Sequence, residues 1–421
     1  MTAMQKSVPA LRFKDSRGKD YPDWEKVKFK CLYSFKTTNS FSRNKLNYVN
    51  GKVRNLHYGD IHTKYQSIFV LERENVPFLN LDIDLNSVSE DAYCKEGDLV
   101  IADASEDYNG IGKTIELLNL NGESVLAGLH TLLAKRNSDR IHIGYGAYVM
   151  ACNIVRQQIM RIAQGTKVLG ISIGRMNEIE LPIPSKKEQQ KITAFLSPVD
   201  AKIEQLTKKR VLLKQYKKGM MQKLFGQEVR FKNEKGRNYP DWEEIKAGQV
   251  FTSCTNRNHN SDLPILAATQ DRGVIPRDET GLKIQSSSKS IVSYKVIEPG
   301  DFVISLRSFQ GGIEYCKHLG IGSPAYTVLK PIVRIDSDFF RFYFKKEDFI
   351  SRLSNTIIGI RDGKQIPYGD FAAIKLNVPS LEEQQKIAAF LSSIDKKIEF
   401  VVEQIKHAKA FKKGLLQQMF V

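Results

Sequence analysis

One string is written twice in this chain. Residues 184–204 read PSKKEQQKITAFLSPVDAKIE, and residues 379–399 read PSLEEQQKIAAFLSSIDKKIE. The duplication reaches further out. Arg12-Phe13-Lys14 through Tyr21-Pro22-Asp23-Trp24-Glu25 returns as Arg230-Phe231-Lys232 through Tyr239-Pro240-Asp241-Trp242-Glu243, so each tryptophan has its counterpart. Lys217-Lys218-Gly219 matches Lys412-Lys413-Gly414, and Phe225 matches Phe420. Each half also carries a Gly-Asp before an apolar run, Gly97-Asp98-Leu99-Val100-Ile101 and Gly300-Asp301-Phe302-Val303-Ile304. The period is too long for a solenoid. Drift after duplication would blur the whole copy, yet here the ends agree and the middles differ. Such a chain folds as two like scaffolds carrying two unlike surfaces.

The repeated string reads as helix. Ser185 and Glu188, then Ser380 and Glu383, have capping-box spacing, in which the hydroxyl accepts from the third amide and the carboxylate reaches back. Ser197-Pro198 suggests a break, because proline inside a helix costs about 3 kcal/mol but is tolerated at the first position. The expectation is a short helix to Leu196, then a long one capped by Ser197, with Ser392-Ser393 compatible with the same break. Beyond it, Val199, Ile203, Leu206, Leu213, Met220 and Leu224 follow alternating four-three steps, with Arg210 and Lys217 filling the skipped ones. Ile394, Ile398, Val401, Ile405, Ala408, Leu415 and Met419 do the same, with Lys412 the charged member. Two such stripes most simply bury each other as a coiled-coil seam. The stretch from Pro198 to Phe225 spans roughly 42 Å at the helical rise.

Lys and Arg number 64 against 47 Asp and Glu, a formal charge of +17, which favours a polyanionic partner, nucleic acid first. The five cysteines (Cys31, Cys94, Cys152, Cys254 and Cys316) are scattered, fitting free thiols in a reducing cytosol and neither a disulfide frame nor a zinc site. The opening MTAMQKSVPALRFK lacks an apolar leader core and no run is long enough for a bilayer, so a cytoplasmic protein without a membrane partner is expected.

The middles, about 24–180 and 242–375, mix short β-branched and aromatic runs with polar turns, as α+β domains do. Residues 302–306 and 325–329 read as strands, and 339–353 as a helix. Several loops have DNA-reading chemistry: Arg43, Asn44 and Lys45; Asn256, Arg257 and Asn258; Arg307 and Gln310; Arg361 and Lys364. Arginine suits guanine, Asn and Gln suit adenine, and lysine suits phosphate.

Motifs for catalysis are missing. Gly112-Lys113-Thr114 resembles the end of a phosphate loop, but Asp107 stands where its first glycine belongs. There is no Pro-Pro pair for an adenine-methyltransferase loop and no HExxH. His57 and His62 lack further metal-ligand companions, so no metal site is expected. An enzyme in its own right is disfavoured, and a structural adaptor bridging proteins through its helices stays open.

The paired strings Pro-Ser-x-x-Glu-Gln-Gln-Lys-Ile-x-x-Phe-Leu-Ser, the Tyr-Pro-Asp-Trp-Glu segments and the Lys-Lys-Gly endings resemble the specificity subunit of type I restriction–modification systems, over essentially the whole chain. The resemblance implies an α+β fold with an internal pseudo-two-fold repeat: two similar mixed α/β target-recognition domains (1–180 and 227–375) separated by an antiparallel pair of long coiled-coil helices (181–226 and 376–421). Each domain would read half of a split site in double-stranded DNA, and the rod would set a spacer of about 12 base pairs at about 3.4 Å per step. It further implies two modification subunits using S-adenosylmethionine and restriction subunits using ATP and Mg, with no cofactor and no catalytic residue on this chain. Glu188, Gln189 and Gln190, with Glu383, Gln384 and Gln385, are expected either to dock these partners or to make contacts within the chain.

Overall fold

The computed structural model describes residues 9–281, 291–356 and 366–420. The chain forms two compact units, Met1–Thr207 with Glu403–Val421, and Lys208–Val402. Two long helices, Lys186–Phe225 and Leu381–Met419, each contribute a stretch to both units.

The first unit is organised by a five-stranded sheet in the order Tyr33–Lys36, Thr131–Arg136, Leu99–Ala102, Thr114–Asn119, Ile68–Val70, antiparallel except for the last pair. The second unit repeats its centre: Phe251–Cys254, Thr327–Pro331, Phe302–Ile304, Glu314–Tyr315. The Gly-Asp marks stand at the start of the central strand in each. Gly97 and Gly300 have φ of +83° and +99°, which glycine adopts without steric cost. The following aspartates tie the turn. Asp98 accepts from the Lys95 amide at 2.6 Å and the Arg136 amide at 3.1 Å, and Asp301 from the Glu298 amide at 2.8 Å. All four side chains of Leu99–Ala102 are buried, as a central strand covered on both faces requires.

The repeated segments at the two ends of each half meet in a short ribbon. Glu25–Lys28 pairs antiparallel with Glu180–Ile183, and Glu243–Lys246 with Lys375–Val378. The differences lie in the added sheets. The first unit has a four-stranded sheet (Ser124–Ala127, Val53–Leu56, Phe78–Leu79, Leu46–Asn47), where the second has two antiparallel pairs, Leu266–Thr269 with Gly273–Pro276 and Lys295–Ile297 with Gly320–Gly322.

Each core draws on both long helices. In the first unit Ile192 and Leu196 join Leu415, Met419 and Phe420 around Tyr145 and Tyr148. In the second, Leu224 and Phe225 join Ile387, Leu391 and Ile394 around Phe339 and Tyr343. The stripe therefore closes on the domain cores at its ends as well as on the facing helix. Of the expected seam, Ile203, Leu206, Ile394, Val401 and Ile405 are buried, and Val199, Leu213 and Ile398 half-buried.

Three expectations change. The helix does not break at Ser197: Lys186–Phe225 is continuous with Pro198 inside it, since burial of Leu196, Ile203 and Leu206 on either side outweighs one lost backbone hydrogen bond. The single helix expected at 339–353 is two, Ser337–Tyr343 and Glu347–Ser354, and the strands lie at Phe302–Ile304 and Thr327–Pro331. Half of each capping box forms. The Ser185 and Ser380 hydroxyls accept from the Glu188 and Glu383 amides at 3.4 Å, but both carboxylates turn elsewhere.

Candidate functional site

The carboxylates turn to the opening motif. Arg12 donates to Glu188 through Nε at 2.9 Å and Nη2 at 3.1 Å, and to the Tyr21 and Pro22 carbonyls. Arg230 repeats this on Glu383 at 3.1 and 2.9 Å and on the Tyr239 and Pro240 carbonyls. Both glutamates are 0% exposed. Hydrogen bonding to the carboxylate, against the opposing effect of burial, raises both guanidinium pKa values further. Trp242 adds an indole N–H to Glu383 at 3.1 Å, while the buried Trp24 indole N–H has no partner among the described residues. Gln189 accepts from the His142 amide and donates to the Arg140 and Pro184 carbonyls; Gln384 accepts from the Asp336 amide and donates to the Pro379 carbonyl. Of the two expectations for this string, Glu188, Gln189, Glu383 and Gln384 meet the second, their side chains binding their own unit, while Gln190 and Gln385 are the exposed members of the six.

The charged members of the helical stripes also have partners. In the first unit Lys412 Nζ meets Asp200 at 2.5 Å, and the Tyr148 hydroxyl donates to the same carboxylate at 2.9 Å. In the second, Lys217 Nζ meets Asp395 at 2.6 Å, with Arg341 at 3.5 Å. Asp200 and Asp395 are the aspartates of the repeated string. The C-terminal stretch of one helix thus lies against the N-terminal stretch of the other within each unit, and the ion pair marks the register. Sequence reasoning saw the lysines as interruptions; the complementary aspartates, repeated in phase, carried the missing signal.

The expected DNA-reading residues sit on the heads, away from this frame. Asn256, Arg257 and Asn258 form an exposed loop, braced by the Val296 amide on the Asn256 carbonyl and the Asn258 amide on the Asn256 side chain. Arg307 and Gln310 are exposed around the short helix Ser308–Gly311. Asn44 and Lys45 are exposed in a 3-10 turn, Asn44 accepting from Ser42. Arg43 differs from expectation. Its guanidinium pairs with the buried Asp60 at 2.7 and 2.9 Å, and Lys64 joins at 2.8 Å. Burial pushes the Asp60 pKa up, but the hydrogen bonds from Arg43 and Lys64 overcome this and hold it low. Two of the Arg43 N–H groups thus face inward. Arg361 and Lys364 lie outside the described residues. Sequence reasoning missed Lys295, which lies beside the 256–258 loop on a short strand; burial, then repulsion from Arg257, lowers its pKa.

Among the described residues no group of three or more His, Cys, Asp or Glu is placed to hold a metal ion, and no helix is long and apolar enough to cross a membrane. Two α+β heads of common plan, each fused to stretches of the same two helices and each presenting basic and amide-rich loops, define a two-headed recognition scaffold. The model of the type I restriction modification DNA specificity domain matches the chain twice, over residues 22–215 and 239–409, and the chain belongs to that family. A putative type I restriction enzyme MjaX specificity subunit of Methanocaldococcus jannaschii is 28% identical over 334 residues, covering 74% of this chain and 76% of the relative. The MjaVIII specificity subunit of the same organism is 29% identical over 273 residues, covering 58% and 63%. The fold is that of the S subunit from M. genitalium, with a TM-score of 0.56 at 16% identity over 99% of each chain.

Proposed function

We propose that the chain is the DNA-specificity subunit of a type I restriction–modification complex, reading one half of a split duplex site with each head and seating the catalytic subunits. The observation that carries the reading is the double match to one specificity domain on two units that share a frame and differ in their added sheets. Asn44, Lys45, Asn256, Arg257, Asn258, Arg307 and Gln310 are the head residues proposed to meet DNA, through phosphates and base edges. The chemistry belongs to partners: two modification subunits with S-adenosylmethionine, and restriction subunits with ATP and Mg. The chain itself is proposed to be non-catalytic and cytoplasmic, where its DNA and partners reside.

The test is a domain exchange. Replacing residues 24–180 by the equivalent segment of a relative, then reconstituting with the modification subunit, is expected to move adenine methylation to a site altered in one half only. Methylation that stayed at the original sequence would overturn the reading. Weak, salt-insensitive DNA binding would favour the adaptor alternative, because lysine and arginine contacts to phosphate make affinity fall steeply with salt.

A further inference from the structure

Several partly buried cations in this chain are matched by carboxylates: Arg12 by Glu188, Lys135 by Asp98, Arg230 by Glu383, Lys345 by Glu314 and Lys412 by Asp200. Two that line one recess of the first unit are not. Lys113 and Arg156 line a cavity of about 250 Å³ with Ser67, Asn109, Thr114 and Ala147, and among the described residues no Asp or Glu lines it. Among the described residues neither cation has a salt-bridge partner. Lys113 Nζ donates to the His62 carbonyl at 2.8 Å, and Arg156 Nη2 to the Tyr108 and Asn109 carbonyls at 3.3 and 3.1 Å. Those bonds leave most of their N–H groups unused. Burial lowers both pKa values, and Lys409 adds repulsion at Lys113. The nearby acidic side chains, Glu106 and Asp107, are exposed, and Asp107 accepts from the Gly110 amide.

Holding two cations together in a recess without an anion is unfavourable unless an anion arrives. The place is also informative. The loop follows the Gly-Asp strand of the first unit, and the corresponding loop of the second unit carries exposed Arg307 and Gln310. Tyr108 stands exposed beside the cavity, an apolar face next to two cations.

We propose that Lys113 and Arg156 form a phosphate-binding site that grips the DNA backbone beside the first head, with Lys409 adding to its field. The proposal rests on the DNA-reading function above. It assigns the role of a sequence-independent anchor to a segment whose glycine-lysine pattern fails as a nucleotide-binding loop.

The test is the salt dependence of duplex binding by the full chain. Each phosphate contact contributes about 0.9 to the slope of log affinity against log salt. Lys113→Gln with Arg156→Gln is expected to reduce the slope by about 1.8, so the affinity lost between 50 and 200 mM salt shrinks about 12-fold. Lys113→Gln alone, which touches only the His62 carbonyl, is expected to shrink it about 3.5-fold. Lys113→Arg with Arg156→Lys keeps both charges and is expected to keep the slope. A Gln variant that melts like the parent and retains the parent slope overturns a backbone contact. A second arm measures melting in inorganic phosphate. Protection of the parent but not of the Gln variants, with an unchanged DNA slope, would keep the phosphate site and assign it to a free anion; an unchanged slope with no protection removes the site. A parent chain that binds no duplex at any salt defeats the DNA reading itself, and the phosphate arm then decides the site alone.

Discussion

Arg230→Met probes the strut that joins the two repeated motifs. Glu383 is fully buried, and its oxygens accept from Arg230 and Trp242. Removing the guanidinium leaves a carboxylate in the core with one indole N–H, and strips the donors from the Tyr239 and Pro240 carbonyls. Breaking one side of a buried ion pair costs about 3–5 kcal/mol, whereas replacing both sides by apolar groups is often near neutral. For a unit of this size each kcal/mol shifts Tm by about 2–4 °C, so the single variant should melt roughly 6–20 °C lower. Arg230→Met with Glu383→Met should recover most of that loss. The chain's two tryptophans supply the assay, one in each repeated motif. In a Trp24→Phe background, urea unfolding followed by emission reports the second unit through Trp242. A single variant costing under about 1 kcal/mol, or a double variant no better than the single, would refute the strut, because it would mean that Glu383 carries no unpaired charge in the fold.

Three further outcomes follow from the same geometry. Burial raises Glu314 to about 7 although Lys345 sits at 2.5 Å, so the folded state binds a proton more tightly than the unfolded chain. The second unit should therefore gain stability as pH falls from about 8 to about 5 and lose it as pH rises through 7, by on the order of 3 kcal/mol; urea titrations across pH should show this slope flattened in Glu314→Gln. Pro198→Ala restores a backbone N–H inside a continuous helix and should stabilise the first unit by about 1–3 kcal/mol in the Trp24 signal of a Trp242→Phe chain. Lys217→Ala and Asp395→Ala should each destabilise the second unit and show coupling in a double-mutant cycle, since 2.6 Å separates the pair; a cycle with no coupling energy would remove the register role.

The two-unit plan was legible because its signals are local and doubled: the Gly-Asp turns, the serine starts and the apolar stripe all act within a few residues of themselves. What misled was equally physical. Ser197-Pro198 carries every local mark of a helix start, yet burial on both sides of it holds one helix. Glu188 and Gln189 look like solvent-facing helix residues until Arg12, 176 positions away, and the His142 amide close over them. A polar side chain is buried when distant groups satisfy it, and no window along the chain contains both partners. The head loops are harder still. Arg43 and Arg257 are the same residue type in similar polar runs and both are exposed, and only the fold sets the buried Asp60 beneath Arg43 to engage its guanidinium.

That difference explains why the chain repeats at its ends and diverges between them. A buried ion pair tolerates change on neither side alone, because either loss strands a charge; Arg12 with Glu188 and Arg230 with Glu383 must therefore alter together or stay. The Asp200–Lys412 and Asp395–Lys217 pairs bind the helices under a related, weaker constraint. Loops such as 256–258 make mostly local backbone bonds, so their side chains are free to differ without cost to the core. A frame whose polar contacts are non-local and interlocked, carrying exposed loops such as 256–258 whose side chains the core does not use, can exchange one reading surface while preserving the other.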